Sequence, residues 1–179
     1  MGELRMSTLI DTFGRVHRDI RVSLTDRCNL RCSYCMPEQG VPLCSHNEIL
    51  SYEDLLRIAR AAARLGIEKV RVTGGEPLVR KGLVGFLARL NAIPGLAEVV
   101  LTTNGLLLAE QAADLRAAGL ARLNVSLDSL TAQGFERIAR RPGGGSGTPV
   151  ADAARGFRAA VPHHGRPAGL HPSVRPAPA

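Results

Sequence analysis

Tryptophan is absent from this 179-residue chain, and aromatic residues make up only 3% of it. A core built here must rest on Leu, Val, Ile and Ala rather than on large rings. Lysine is almost missing: Lys69 and Lys81 stand alone, so the formal charge of +7 is nearly all arginine. No basic run is interleaved with stacking aromatics, which argues against a nucleic-acid surface. No stretch approaches 18 uninterrupted apolar residues, and the first residues hold no continuous apolar segment of the secretory kind. A cytoplasmic protein without membrane contact is the expectation. Cysteine is scarce and uneven, with three residues between Cys28 and Cys35, a fourth at Cys44 and none afterwards. Reduced thiols of a cytosol suit metal ligation better than disulfides.

What is present is first of all a spacing. Cys28, Cys32 and Cys35 stand as C-x3-C-x2-C. Three thiolates can grip one soft metal centre, and they can hold three irons of a cubane while leaving the fourth open to a small molecule. A zinc knuckle completed by Cys44 or His46, or a disulfide with a spare thiol, are the alternatives that spacing leaves open. Cys44 breaks the pattern and reads as a free thiol. His46, His163, His164 and His171 show no ligand spacing and read as surface residues.

The length allows one domain with a real core. Ile20–Leu24 alternates apolar and polar residues as a first strand, and the cysteine loop follows it directly. A helix capped by Ser51 runs to Leu65, with Gly66 as its stop. A strand over Glu68–Thr73 ends in Gly74-Gly75-Glu76-Pro77, and a helix over residues 81–91 follows. Another strand, Glu98–Thr102, turns at Thr103-Asn104-Gly105 into a helix near residues 107–118. A fourth strand, Arg122–Leu127, ends at Asp128-Ser129, and a helix spans about 131–140. Four successive β-α units predict an α/β fold with a parallel sheet and right-handed crossovers. In such sheets the functional loops gather beyond the strand C-termini, and here every chemically unusual segment lands on that rim.

Residues 1–141 therefore read as the core. Residues 142–179 hold seven Pro, seven Gly and no Glu, and beyond a marginal helix near 150–160 they cannot bury enough to offset their ordering entropy. That tail is expected to be disordered, or an aberrant continuation of a truncated or frameshifted chain.

On the strands, Arg71 and Thr73 share a face at period two, and Arg21 lies on the first strand. An arginine pointing into a small barrel is costly unless it meets an anion, and its fork suits phosphate or a purine edge; packing outward among helices is the alternative. Gly74-Gly75 permits close backbone approach, so that its N–H and C=O groups can pair with an amino acid moiety. Glu76 adds a carboxylate. The basic charge suits a nucleotide triphosphate as much as it suits a general arginine bias.

The cysteine spacing, with an aromatic residue before the last cysteine, resembles the signature of the radical S-adenosylmethionine (SAM) enzymes. With Asp11-Thr12-Phe13-Gly14-Arg15, Ile20 through Pro37, Arg71 through Leu78, Thr102 through Gly105 and Asn124 through Leu130, the chain resembles the GTP 3',8-cyclase family of molybdenum cofactor biosynthesis. The resemblance covers residues 9–141. It implies a partial (β/α) barrel, a 4Fe-4S cluster on Cys28, Cys32 and Cys35, and S-adenosyl-L-methionine as second cofactor. Tyr34, Gly75 and Ser126 occupy family positions that contact SAM; Arg21, Arg71 and Thr102 occupy positions that contact GTP. The implied reaction cyclises GTP through a ribose radical that attacks guanine C8. The implied partners are GTP and an electron donor, with a homodimer as an option. The family's later lysine for GTP and its C-terminal cysteine triplet have no counterpart here, so the chain reads as the N-terminal half. Another radical SAM substrate and a non-catalytic Fe–S or zinc-binding fragment are the competing readings.

Overall fold

The computed structural model describes residues 8–129, 131–141, 150, 152–155 and 157–160. In order, the elements are β1 (Asp19–Ser23), α1 (Tyr52–Arg64), β2 (Lys69–Thr73), α2 (Leu83–Asn91), β3 (Glu98–Thr103), α3 (Leu108–Ala117), β4 (Arg122–Val125), α4 (Ala132–Ala139) and β5 (Arg158–Ala160). The strands form one parallel sheet in the order β1-β2-β3-β4-β5. The expected β-α succession is therefore the observed one.

Local chemistry explains the boundaries. The Ser51 hydroxyl accepts the Asp54 N–H at 3.1 Å and starts α1, and Gly66 leaves it with φ 87°. The helix expected from residue 81 begins at Leu83. A 3-10 turn, Pro77–Val79, comes first because the Glu76 carboxylate accepts the Leu78 N–H, and Gly82 at φ 81° then resets the chain direction.

Alternation gives the sheet two unlike faces. Val70, Val72, Val99, Leu101, Leu123 and Val125 point into the main core, where they meet Leu55, Leu56, Leu83, Phe86, Leu87, Leu90, Leu108 and Leu115 from the helices. The opposite face is polar. Arg21 pairs in register with Arg71, Arg71 with Val100, Val100 with Arg122, and Arg122 with Arg158. Since register partners share a face, four arginines lie in one row across five strands. One layer toward the strand ends, Ser23, Thr73, Thr102 and Asn124 share the same face.

Two expectations about residues 142–179 need correction. Residues 158–160 form a strand rather than a helix, and among the described residues before it 150, 152 and 153 are helical. Ala154 and Phe157 are buried in the main core, the Arg116 guanidinium sits 5.4 Å from the Phe157 ring centre, and Arg158 N–H donates to Ala121 O at 2.8 Å. The packed sheet thus continues beyond residue 141. A three-residue strand shows too little alternation to be read from sequence, and one aromatic anchor suffices to dock it. Residues 142–149 and 161–179, where the rest of the expected disorder falls, lie outside the described residues, as do His163, His164 and His171.

Candidate cluster and cofactor site

The loop that leaves β1 is threaded beneath the one that leaves β2. Gly75 N–H donates to Thr25 O at 2.7 Å and Glu76 N–H to Arg27 O at 2.8 Å. A Cβ on Gly75 would collide with the Arg27 carbonyl, and one on Gly74 (φ 152°) would lie 2.8 Å from Thr25 O. The glycines are thus needed for close packing of chain on chain. The expectation that the Gly74-Gly75 amides stand free for a ligand is corrected for Gly75, whose N–H is engaged. Glu76 is likewise no open carboxylate. It is 1% exposed and accepts the Leu78 N–H at 3.0 Å, the Thr103 hydroxyl at 2.7 Å and the Asn104 N–H at 2.7 Å. Burial raises its pKa against the pull of those three donors.

Cys28 and Cys32 are half-buried, Cys35 is exposed, and all three are free thiols. A turn joins them, with the Cys35 and Met36 N–H groups both donating to Cys32 O at 2.9 and 3.1 Å. The cysteines lie close enough together for a thiolate at Cys35 to disfavour charge on Cys28 and on Cys32. Burial raises the pKa of Cys28 and is the main cause that pushes Cys32 up to about 11. Metal binding must therefore displace protons here. The Leu30 N–H points at Cys28 Sγ at 3.4 Å, the kind of donor that stabilises a thiolate. Leu30, Leu127, Phe135 and Ala139 form a second apolar core against which Cys28 and Cys32 pack. Among the described residues no three His, Cys, Asp or Glu side chains converge as ligands of a single metal ion. Three neighbouring thiols on a half-dry floor suit a polynuclear group in which each sulfur takes its own iron. Cys44 is an exposed free thiol whose N–H donates to Asp26 Oδ2 at 2.6 Å, so it ties the far end of the loop back to its start.

Sequence reasoning missed how much of this site comes from the later units. Asn104 Nδ2 donates to Asn29 Oδ1 at 2.8 Å. The Tyr34 hydroxyl reaches both Asp128 oxygens at 2.9 Å, and Cys32 Sγ lies 3.9 Å from Asp128 Oδ2. Arg31 and Ser33 N–H groups donate to the Ala139 and Ile138 carbonyls at 2.9 Å, which satisfies the open end of α4. Arg140, at φ 52°, turns the chain so that its guanidinium meets Met36 O at 3.4 Å. Asn104 and Asp128 were visible as strand-end residues; their partners in the cysteine loop carry no sequence signal.

The remaining predicted residues lie on the polar face. Arg21 is exposed; Arg71 is half-buried, with its guanidinium 3.8 Å from Asp19. Thr102 lies one layer nearer the rim, beside Asn124 in register. Ser126 follows β4, and its N–H donates to Thr103 O at 2.8 Å. Tyr34 stands on the rim, 59% exposed. At the opposite end of the face, Glu98 gathers Lys69 at 2.7 Å, Arg122 at 3.5 Å and Arg158 at 3.7 Å.

A parallel sheet with a three-thiol loop at the mouth of its first strand defines a class. Residues 22–171 match the Radical SAM superfamily, and the chain belongs to it. Among curated proteins it is 68% identical over 132 residues to the GTP 3',8-cyclase of Geobacter sulfurreducens, an alignment that covers 74% of this chain and 40% of that one. It is 49% identical over 162 residues to the GTP 3',8-cyclase of Pelotomaculum thermopropionicum, covering 90% and 46%. Drosophila melanogaster molybdenum cofactor biosynthesis protein 1 is 50% identical over 137 residues, covering 76% and 24%. The chain thus spans less than half the length of these relatives. Among solved structures, Streptococcus suis SuiB bound to its precursor peptide SuiA superposes with a TM-score of 0.59 at 20% identity, over 76% of this chain and 29% of that one. BtrN in complex with AdoMet and 2-DOIA gives 0.54 at 19% identity, over 89% and 58%. These two likenesses carry the fold alone. Among the described residues no helix is long and apolar enough to cross a membrane.

Proposed function

We propose that this chain is the cluster-bearing portion of a GTP 3',8-cyclase, which cyclises GTP in molybdenum cofactor biosynthesis. The observation that carries the proposal is the arrangement of one sheet face. Arg21 and Arg71 in register, then Thr102 one layer up, lead from the strand interior toward the loop of Cys28, Cys32 and Cys35. Asp19 lies 3.8 Å from Arg71 and offsets part of the repulsion between two positive residues in register, and a triphosphate would supply acceptors for both forks. The 68% identity to a GTP 3',8-cyclase over 132 residues supports the same substrate.

In this account Cys28, Cys32 and Cys35 hold a 4Fe-4S cluster, and Gly75, Tyr34 and Ser126 border SAM. When bound, the two cofactors supply radical hydrogen abstraction. The protein's own residues orient the substrate. Arg21 and Arg71 fix the phosphate end, and the Thr102 hydroxyl holds the nucleoside nearer the rim. The Gly75 and Glu76 amides of the β2 loop brace the cysteine loop. An external electron donor and the cytoplasm as working compartment complete the proposal.

The test is anaerobic reconstitution with iron and sulfide, then incubation with SAM and a strong reductant, with and without GTP. The proposal predicts 5'-deoxyadenosine in an amount that GTP alters, together with saturable GTP binding. SAM cleavage that ignores GTP, with no GTP binding, would assign the chain to another radical SAM substrate.

A further inference from the structure

Two cysteines of the loop face opposite electrostatic neighbours. Cys28 Sγ receives an amide hydrogen from Leu30 at 3.4 Å. Cys32 Sγ faces a carboxylate, with Asp128 Oδ2 at 3.9 Å. That carboxylate is held in place by the Tyr34 hydroxyl, 2.9 Å from both oxygens. Its backbone is held too. Leu127, the preceding residue, is 7% exposed in the small core with Leu30, Phe135 and Ala139, and Cys32 packs on the same core. Loop and acid thus share one rigid floor. β1 and β4 are separated in the sheet by β2 and β3, so the contact is made only through the rim.

We propose that Asp128 is a positioning residue of the cysteine loop: clamped by Tyr34, it holds a negative charge against the Cys32 sulfur and lowers the reduction potential of the cluster bound there. The physical ground is that a cluster gains one negative charge on reduction, and net charge with hydrogen bonding at the sulfurs sets its potential. A fixed carboxylate disfavours the added electron, whereas the amide at Cys28 favours it. The inference rests on the cluster assignment made above.

The test uses the full chain, reconstituted anaerobically, with iron and sulfide counts taken first and the potential then measured by EPR-monitored redox titration. D128N keeps the size and an acceptor for Tyr34 but removes the charge; its cluster is expected to have a higher potential than wild type, with iron content and melting temperature unchanged. D128E restores the charge and is expected to return the potential most of the way. Y34F, which keeps the acid but frees it from its clamp, is expected to shift the potential in the same direction by less. If D128N loads poorly, Y34F alone decides. Loaded variants with the wild-type potential overturn the inference while leaving the cluster reading intact. A wild-type chain that binds no four-iron cluster overturns that reading instead.

Discussion

Asn104 Nδ2 donates to Asn29 Oδ1 at 2.8 Å, which joins the turn after β3 to the residue that follows Cys28, 75 positions earlier in the chain. The same asparagine gives its backbone N–H to Glu76 at 2.7 Å. The loops after β1, β2 and β3 are therefore tied through one buried carboxylate and one amide pair. Glu76→Ala would strand the Thr103 hydroxyl and two amides in a dry site, and is expected to destabilise the chain by about 3 kcal/mol. Glu76→Gln, which keeps one acceptor oxygen, should lose about 1 kcal/mol. Urea denaturation measures both.

Gly75 makes a sharper prediction. Its replacement by Ala places a methyl group against the Arg27 carbonyl, and the strain is backbone on backbone, where no side chain can yield. A loss of about 2 to 3 kcal/mol is expected, with iron uptake falling in parallel because Arg27 directly precedes Cys28. Wild-type iron content in Gly75→Ala would show that the loop has more slack than the packing allows.

Arg21 and Arg71 separate ligand binding from stability. They sit in register on adjacent strands, where like charges oppose each other. Replacing either with Ala is expected to leave the melting temperature unchanged or slightly raised, while GTP affinity falls about tenfold or more, as for loss of a charge-assisted contact. Calorimetric titration with GTP reads the affinity. A variant that melts lower and still binds GTP as wild type would make these arginines structural.

Acid should weaken the fold in a defined window. Hydrogen bonding to Lys69 holds the Glu98 carboxyl below its ordinary value of 4.5, Arg89 does the same for Glu53, and Ser51 with Arg57 for Asp54. Groups with depressed pKa contribute stability above the unfolded value and lose it as pH falls through the folded one. Glu76, raised by burial, acts in the opposite sense and gains on protonation. Asp11 and Glu48 are lowered as well, by hydrogen bonds from Arg15 and Ser45, so with five depressed carboxyls against one raised, the melting temperature of the metal-free chain should hold from neutrality to about pH 5 and decline below about pH 4.5. Glu98→Gln should flatten part of that decline.

How far the sequence carried the reading depended on the range of each signal. The strands expected over Glu68–Thr73 and Glu98–Thr102 and the helix capped by Ser51 rest on local patterns, and with the other β-α units they recovered four of the five strands among the described residues and the parallel sheet. The cysteine spacing is local as well. Other features depend on contacts between distant segments. That Gly75 also packs its backbone against the Arg27 carbonyl is invisible until the two loops are seen together. Glu76 reads as a carboxylate offered to the site until Thr103 and Asn104 are seen to surround it. β5 escaped because three residues cannot show a period, and Phe157, its anchor, sits in a Gly- and Pro-rich composition that otherwise signals disorder.

The central claim is that three thiols on this rim hold a four-iron cluster that works on SAM. The most direct measurement is SAM cleavage by the anaerobically reconstituted, iron- and sulfide-counted chain, compared with Cys28→Ala, Cys32→Ala and Cys35→Ala. The account predicts close to four irons and four sulfides per chain, 5'-deoxyadenosine on reduction, and loss of both in each variant. Preferential uptake of zinc, or a full cluster that leaves SAM intact, would contradict it.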